Sequence, residues 1–200
     1  MRRKEFEVHD RVLMEEVLKT ADIGYLAFNS PDGWPRITPL TFVYDGRVLW
    51  HGAIAGERFD CLKANPQATF SAVSIHQFLP SHLTSEEDGT FATIAFKSVQ
   101  VQGFCQLIDD PEEKCGILNR IMEKYQPEGR YRKISPQDPI YCKALSAVGV
   151  YALTAKQAVG KFKFAQKRSK TERLKIAAKL KERGAPADLI IAEEILKVLD

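Results

Sequence analysis

The segment 49–66, LWHGAIAGERFDCLKANP, has the residue types and the spacing of an anion-binding site. A β-type run ends at His51 and passes into the small residues 52–56, which Glu57 and Arg58 follow. A helix-like stretch then closes at Asn65-Pro66. A Gly/Ala-rich bend at a helix start leaves backbone N–H groups free, and a neighbouring cation adds positive charge. The segment therefore predicts that the chain holds a phosphate group.

The composition is typical of a globular chain with an ordinary core. With 200 residues, 44% of them hydrophobic, we expect one domain with a small appendage. No apolar stretch approaches the ~20 residues of a membrane span, and Glu5, Glu7 and Asp10 follow the basic start, which argues against a signal peptide. The four cysteines are scattered without a C-x-x-C pair, which predicts reduced thiols and a cytoplasmic protein. The histidines are equally scattered, so no zinc site is predicted.

Alternating β-rich segments predict a sheet built mainly from hairpins. The sequences 30–33, SPDG, and 45–46, DG, are typical of tight turns. The predicted strands are 24–28, 36–44, 47–50, 68–75, 91–108 and 147–154, and the predicted helices are 12–20, 59–64, 110–125, 171–183 and 186–199. A polar loop is expected over 76–89. Few helices separate the strands, which favours a mainly β fold, an antiparallel barrel with peripheral helices and a C-terminal helical pair.

The charge is concentrated at the C-terminal end. From Lys156 onward there are 12 Lys or Arg against 6 Asp or Glu, although the whole chain has a net charge of only +3. We therefore divide the chain into a barrel domain, 1–155, and a basic strand and helical extension, 156–200. A basic tail suits nucleic acid or a phosphate-rich ligand, but a solvated helix surface explains the same charge.

No Walker loop and no strand-linked G-x-G-x-x-G is present, which argues against a nucleoside triphosphate or Rossmann site.

An ordered set of short sequences instead resembles the FMN-binding split-barrel superfamily, which includes the pyridoxamine 5′-phosphate oxidases. Within that superfamily it resembles the nitroimidazole-resistance-like branch. The matching sequences are 1–4, 32–35, 39–40, 43–46, the His51 segment, 96–99, Gly103 and 110–114. The tail sequence 160–169, GKFKFAQKRS, resembles the C-terminus of FMN-binding negative transcriptional regulators, with Lys167 in place of the usual asparagine.

The resemblance implies a split β-barrel that binds FMN at a homodimer interface. Arg58 would hold the phosphate with backbone N–H groups around residues 53–57, and Lys97 and Ser98 would complete that site. His51 would lie near the flavin. The predicted cofactor-binding residues are Pro39, Leu40, Thr41, His51, Gly52, Ala53, Gly56, Glu57, Arg58, Lys97, Ser98, Lys161, Lys163 and Gln166. Pro39, Leu40 and Thr41 would run beside the isoalloxazine ring, and the last three residues could reach a ligand across the dimer.

Three functions are compatible with this resemblance. The first is an oxidoreductase in which FMN passes electrons from NADH or NADPH to a small acceptor, and no nucleophilic residue is then required. The substrate-binding set of a true pyridoxamine phosphate oxidase cannot be placed. The second is a flavin-linked transcriptional regulator, which is disfavoured because the last predicted helix has Asp188, Glu193 and Glu194 against a lone Lys197. The third and weakest is a haem-handling protein with His51 as a ligand.

Overall fold

The computed structural model describes residues 3–198 and confirms the mainly β, antiparallel architecture. The strands are β1 (Glu7–Val8), β2 (Gly24–Asn29), β3 (Pro35–Leu40), β4 (Val43–Tyr44), β5 (Val48–Ala53), β6 (Gln67–Leu79), β7 (Thr93–Leu107) and β8 (Val148–Lys163). The helices are α1 (Arg11–Thr20), α2 (Glu57–Ala64), α3 (Pro111–Tyr125), α4 (Cys142–Ala147), α5 (Lys170–Arg183) and α6 (Pro186–Lys197). Met1 and Arg2 of the matching N-terminal sequence, and Leu199 of the last predicted helix, lie outside the described residues.

The strands form one sheet in the order β3-β2-β6-β7-β8-β5-β4, with β1 paired to the end of β8. The β2–β3 hairpin is antiparallel, with Leu26 opposite Thr38, and its turn contains Gly33 at φ 84°. This left-handed conformation is one that glycine adopts without a steric penalty. β5 pairs with β4 on one side and with β8 on the other, which fixes the strand end that carries His51.

Four local predictions were wrong. The strand predicted over 36–44 is broken at Thr41-Phe42, because the Phe42 N–H donates 2.9 Å to the Tyr125 hydroxyl rather than to a neighbouring strand. β6 extends to Leu79, so the predicted loop begins at Pro80. β8 continues past the predicted strand end at Thr154 to Lys163. The short helix α4 was missed, and it has no side-chain N-cap that would have indicated its start.

The described part of the chain divides into two compact units. Unit 1 comprises the described parts of Met1–Val17, Val73–Val99 and Val159–Asp200, and unit 2 comprises Leu18–Ala72 and Gln100–Ala158. In unit 2, α3 packs its apolar face on β4, β5 and β8. The buried cluster consists of Val43, Leu49, Ile108, Ile117, Leu118, Ile121, Val150 and Ala152.

In unit 1, α5 and α6 form the predicted helical pair. Each helix has buried apolar residues at helical spacing, which are Ile176 and Leu180 on α5 and Ile191 and Ile195 on α6. The Ser169 hydroxyl and the Glu172 carboxylate form a capping box at the start of α5. Within residues 3–198, no helix combines the length and apolar content needed to cross a membrane.

Candidate anion-binding site

The strand-to-helix connection that opens the predicted site lies wholly within unit 2. β5 ends at Ala53, and α2 starts at Glu57 after Gly56, which has φ 93°. No side chain caps the helix at Gly56 among the described residues, so the first amides of α2 lack the hydroxyl or carboxylate acceptor that usually satisfies them. Gly56 and Glu57 are exposed. The connection therefore presents a helix N-terminus without a side-chain partner.

The Arg58 side chain folds back over the end of β5. A Cβ atom placed on Gly52 would lie 1.9 Å from Arg58 Nη2 and 3.0 Å from its Cζ, so the guanidinium occupies the space above this glycine. Any larger residue at position 52 would displace the guanidinium. Gly52 was predicted as a site residue, and the structure gives it a physical role, which is to let the cation lie against the strand.

Arg58 differs in its surroundings from Arg36, Arg47 and Arg120 of the same unit. Arg36 pairs with Asp32 and Glu57, Arg47 pairs with Asp45 and Glu113, and Arg120 pairs with Asp45, all at 2.8–3.1 Å. Within residues 3–198 no carboxylate lies within ion-pair distance of Arg58. The half-buried Arg58 guanidinium thus has its donors available for an anion.

His51 and Tyr151 lie beside this cation. The exposed His51 side chain is at the end of β5, opposite Val150 of β8, and loss of part of its hydration, together with the charge of Arg58, lowers the pKa of His51. The Tyr151 hydroxyl donates 2.6 Å to the Ala53 carbonyl oxygen. Tyr151 is buried and stacks on Trp50, with ring centroids 5.6 Å apart. Sequence reasoning missed Tyr151, because it sits in an ordinary alternating strand pattern.

We expect the pKa of His51 to lie below the usual histidine value, because partial burial and the charge of Arg58 both disfavour its protonated form. Protonation of His51 is then harder in the folded chain than in the unfolded one, so acidification through this range should destabilise the fold slightly. In Arg58→Gln the pKa should rise while staying below the usual value, since burial remains. An NMR titration of the histidine Cε1–H signals, assigned with His51→Asn, measures this. An unchanged pKa in Arg58→Gln would contradict the placement of the guanidinium.

The other predicted residues of unit 2 lie at the end of β3 or at the start of α2. Pro39 and Thr41 are exposed at the end of β3, and Leu40 is buried opposite Gly24. Glu57 accepts a 2.8 Å hydrogen bond from Arg36 Nε. This bond ties the first turn of α2 to the β2–β3 hairpin, so Glu57 acts as a brace in this structure.

The remaining predicted residues belong to unit 1, and most of their polar atoms have partners there. Lys97 is 7% exposed, and its Nζ lies 3.0 Å from Glu194 Oε2 on α6. The Ser98 hydroxyl donates 3.4 Å to the Lys161 carbonyl oxygen, and the Lys161 ammonium lies 5.5 Å from the centre of the Phe96 ring.

The two further residues of this set stabilise the end of β8. The Lys163 ammonium contacts the Thr93 hydroxyl. The Gln166 amide donates 2.8 Å to the Phe162 carbonyl oxygen, and its oxygen accepts 2.7 Å from the Phe164 N–H. Gln166 therefore holds the backbone turn that follows β8.

Glu194 was missed as a partner of Lys97. Burial acts to raise the pKa of Glu194, but hydrogen bonds from Lys197 and Lys97 outweigh burial and hold the pKa below its usual value. Glu194 is itself only 8% exposed, so the pair is buried. A buried lysine without this carboxylate would be costly, which makes Glu194 a structural requirement for Lys97 in this conformation.

Comparison with known proteins gives a family and a fold. The family model described as pyridoxamine 5′-phosphate oxidase matches residues 10–162. A candidate 5-nitroimidazole antibiotic resistance protein from Bacteroides thetaiotaomicron is 21% identical, with a TM-score of 0.63 and 78% of this chain and 85% of that chain covered. A flavocytochrome from Azotobacter vinelandii is 22% identical, with a TM-score of 0.67 and 82% and 72% covered.

A FAD and haem binding protein from Mycobacterium smegmatis is 19% identical, with a TM-score of 0.65 and 86% of this chain and 79% of that chain covered. At this level of identity the structural likenesses show the fold, and they confirm the predicted split barrel. A search of curated proteins gives no match.

Proposed function

Because the chain belongs to the pyridoxamine 5′-phosphate oxidase family, we propose that it is a flavoprotein in which Arg58 binds the phosphate of FMN. The observation that carries the proposal is the Arg58 guanidinium, which lies over Gly52 without a carboxylate partner within residues 3–198. The helix start at Gly56, without a side-chain cap, adds amide donors and the positive end of a helix dipole. A phosphate dianion would satisfy both groups at once.

The donor set fits FMN better than a neutral ligand. Arginine binds phosphate through two parallel N–H bonds, and the resulting charge-assisted hydrogen bonds are about twice as strong as neutral ones. Partial burial, together with the charge of Arg58, lowers the pKa of His51 and so favours its neutral form, which would offer a hydrogen-bonding ring beside the flavin. The exposed Pro39 and Thr41 would present backbone groups to the polar edge of the isoalloxazine ring.

We further propose that a second copy of the chain completes the site with Lys97, Ser98, Lys161, Lys163 and Gln166. The contacts within unit 1 set two conditions on this proposal. Lys97 would have to bind the phosphate together with the Glu194 carboxylate or in place of it. Gln166 would have to keep its hydrogen bonds to the backbone. Arg58 meets no such competition, and we therefore assign it the leading part in phosphate binding.

The proposed activity is electron transfer from a reduced nicotinamide to a small acceptor. A bound flavin supplies this chemistry by taking up a hydride and passing its electrons on. The role of the protein would be to hold the phosphate at Arg58 and to orient the isoalloxazine ring beside His51. One face of that ring would stay open to the nicotinamide donor. No proton transfer by a side chain is required for hydride uptake.

The test begins with the colour of the purified full-length chain. A flavin absorbance band, released as FMN on denaturation and identified by chromatography against FMN and FAD standards, is the expected result. A chain that carries no flavin and does not bind added FMN would overturn the proposal. Steady oxidation of NADH or NADPH with an added acceptor then supports the reductase. A salt-dependent gel shift with DNA, without such turnover, would indicate a flavin-linked regulator instead.

A further inference from the structure

A cationic cavity of about 280 Å³ lies entirely within unit 1. Four cationic side chains line it: Arg3 near the start of the chain, Lys163 at the end of β8, and Lys167 and Arg168 in the turn that follows. No Asp or Glu of the described residues lines the cavity. This grouping comes from segments far apart in sequence, which the fold brings together around one space.

The cavity also has an apolar floor. Phe6, Leu79, Leu83 and Ile176 line it, and each is buried with 3–4% of its surface exposed. The half-buried Phe91 adds an aromatic face, with the Arg168 guanidinium 4.2 Å from its ring centre. A cation on an aromatic ring keeps its in-plane N–H donors free for an anion while its flat face stacks. The walls therefore combine apolar and aromatic surface with positive charge.

Carboxylates outside the lining balance part of the positive charge in this cavity, since Asp88 and Glu172 both interact with the charge of Arg168. Lys167 Nζ lies 3.1 Å from Glu5 Oε1, and the Lys163 ammonium contacts the Thr93 hydroxyl. Burial, followed by the charges of Lys161 and Arg3, lowers the pKa of Lys163. Neighbouring cations repel one another, which disfavours the charged form of each. An anion that binds among them offsets this repulsion and stabilises their charged forms.

The backbone at the cavity is strained. Ala165, which lines it, has φ 60°, a left-handed conformation that is unfavourable for a non-glycine residue. The two hydrogen bonds from the Gln166 side chain to Phe162 and Phe164 hold this turn in place. Such strain is concentrated at ligand sites, where the surroundings fix a conformation that positions neighbouring side chains. Here the turn directs Lys167 and Arg168.

We propose that this cavity binds a small aromatic or similarly flat apolar molecule that carries a carboxylate or a phosphate. The apolar body would contact Phe91, Leu79 and Leu83, and the oxyanion would bind Lys163 and Arg168. The volume is just below the usual range of drug-sized pockets, so the ligand is small. This inference goes beyond the proposed flavin function. Of the residues proposed here to bind the ligand, only Lys163 is also named in the flavin proposal.

The test uses benzoate and phenyl phosphate as probes on the full-length chain, with benzyl alcohol and inorganic phosphate as probes that lack the charge or the ring. Calorimetry or ligand-observed NMR should give saturable binding of both aromatic anions with a Kd around 1 mM or lower and much weaker binding of the other two. Lys163→Gln and Arg168→Gln should each raise that Kd about tenfold, since each removes a charge-assisted hydrogen bond.

Lys170→Gln is the matched control, because Lys170 is an exposed cation of the same unit that does not line the cavity. It should leave the Kd unchanged, and circular dichroism should show all variants folded. Absence of saturable binding to the wild-type chain, or equal binding by both cavity variants, would overturn the inference. Displacement of the aromatic anions by FMN would place them in the flavin site and would also overturn it, while leaving the flavin proposal standing.

Discussion

Replacing Arg58 with glutamine is expected to weaken FMN binding by about 100-fold, because a bidentate charge-assisted contact with phosphate is worth about 3 kcal/mol. The loss should be larger for FMN than for riboflavin, which lacks the phosphate. Fluorescence quenching of each flavin during titration with the apoprotein measures both constants. Equal losses for the two flavins would show that Arg58 does not contact the phosphate.

Two further variants separate the charge of Arg58 from its position. Gly52→Ala keeps the arginine but places a Cβ 1.9 Å from Nη2, so the guanidinium must move away. Because a flexible side-chain end moves cheaply, the thermal midpoint should change little while FMN affinity falls nearly as far as in Arg58→Gln. Arg120→Gln is the matched control, since Arg120 pairs with Asp45 in the same unit, and it should bind FMN normally.

The Gly103→Ala substitution is expected to have the largest effect on stability. A Cβ at this position in β7 would lie 2.0 Å from the Thr154 carbonyl oxygen and 3.2 Å from Ala155 Cα of β8. Backbone atoms within a paired sheet cannot yield as a side chain can, so the strands must separate locally. We expect a loss of about 3 kcal/mol or more in the free energy of unfolding, or about 10 °C in Tm.

Gly116→Ala is the control for this prediction. Gly116 is exposed on α3, and a Cβ there would meet nothing within 4 Å. Alanine is favoured over glycine within a helix, so this variant should gain about 1 kcal/mol in the free energy of unfolding. Thermal or urea unfolding of the two variants should move in opposite directions. A Gly103→Ala chain as stable as the wild type would contradict the close approach of β7 and β8.

Much of the fold follows from local signals in the sequence. The turn sequences at 30–33 and 45–46 and the helices predicted over 171–183 and 186–199 have borders that the structure reproduces within a few residues, as far as it describes them. The errors arise where local preference is weak. The polar residues His76 and Gln77 suggested a loop although β6 continues, and the exposed middle of β8 lacks the alternation that marks a half-buried strand.

The candidate site was predictable as far as it is continuous in sequence. The segment 49–66 carries its own signal, because strand end, glycines, cation and helix start follow one another. Long-range partners carry no such signal. The carboxylate that pairs with Lys97 comes from Glu194, almost a hundred residues away, and the partner of Glu57 is Arg36 on an earlier hairpin. Whether a cationic side chain is available to bind a ligand therefore depends on its ion pairs with residues far away in the sequence.

The interleaving of the two units restricts how this chain can be rearranged. The chain passes between them four times, after residues 17, 72, 99 and 158, and β6, β7 and β8 each continue from one unit into the other. Neither unit is a continuous stretch that recombination could exchange or a protease could release intact. New sequence is best accommodated where mostly exposed residues turn within one unit, as in 86–89 of unit 1 and 127–133 of unit 2. Diversification of such a protein is thus expected to proceed through loops and single substitutions rather than through the shuffling of modules.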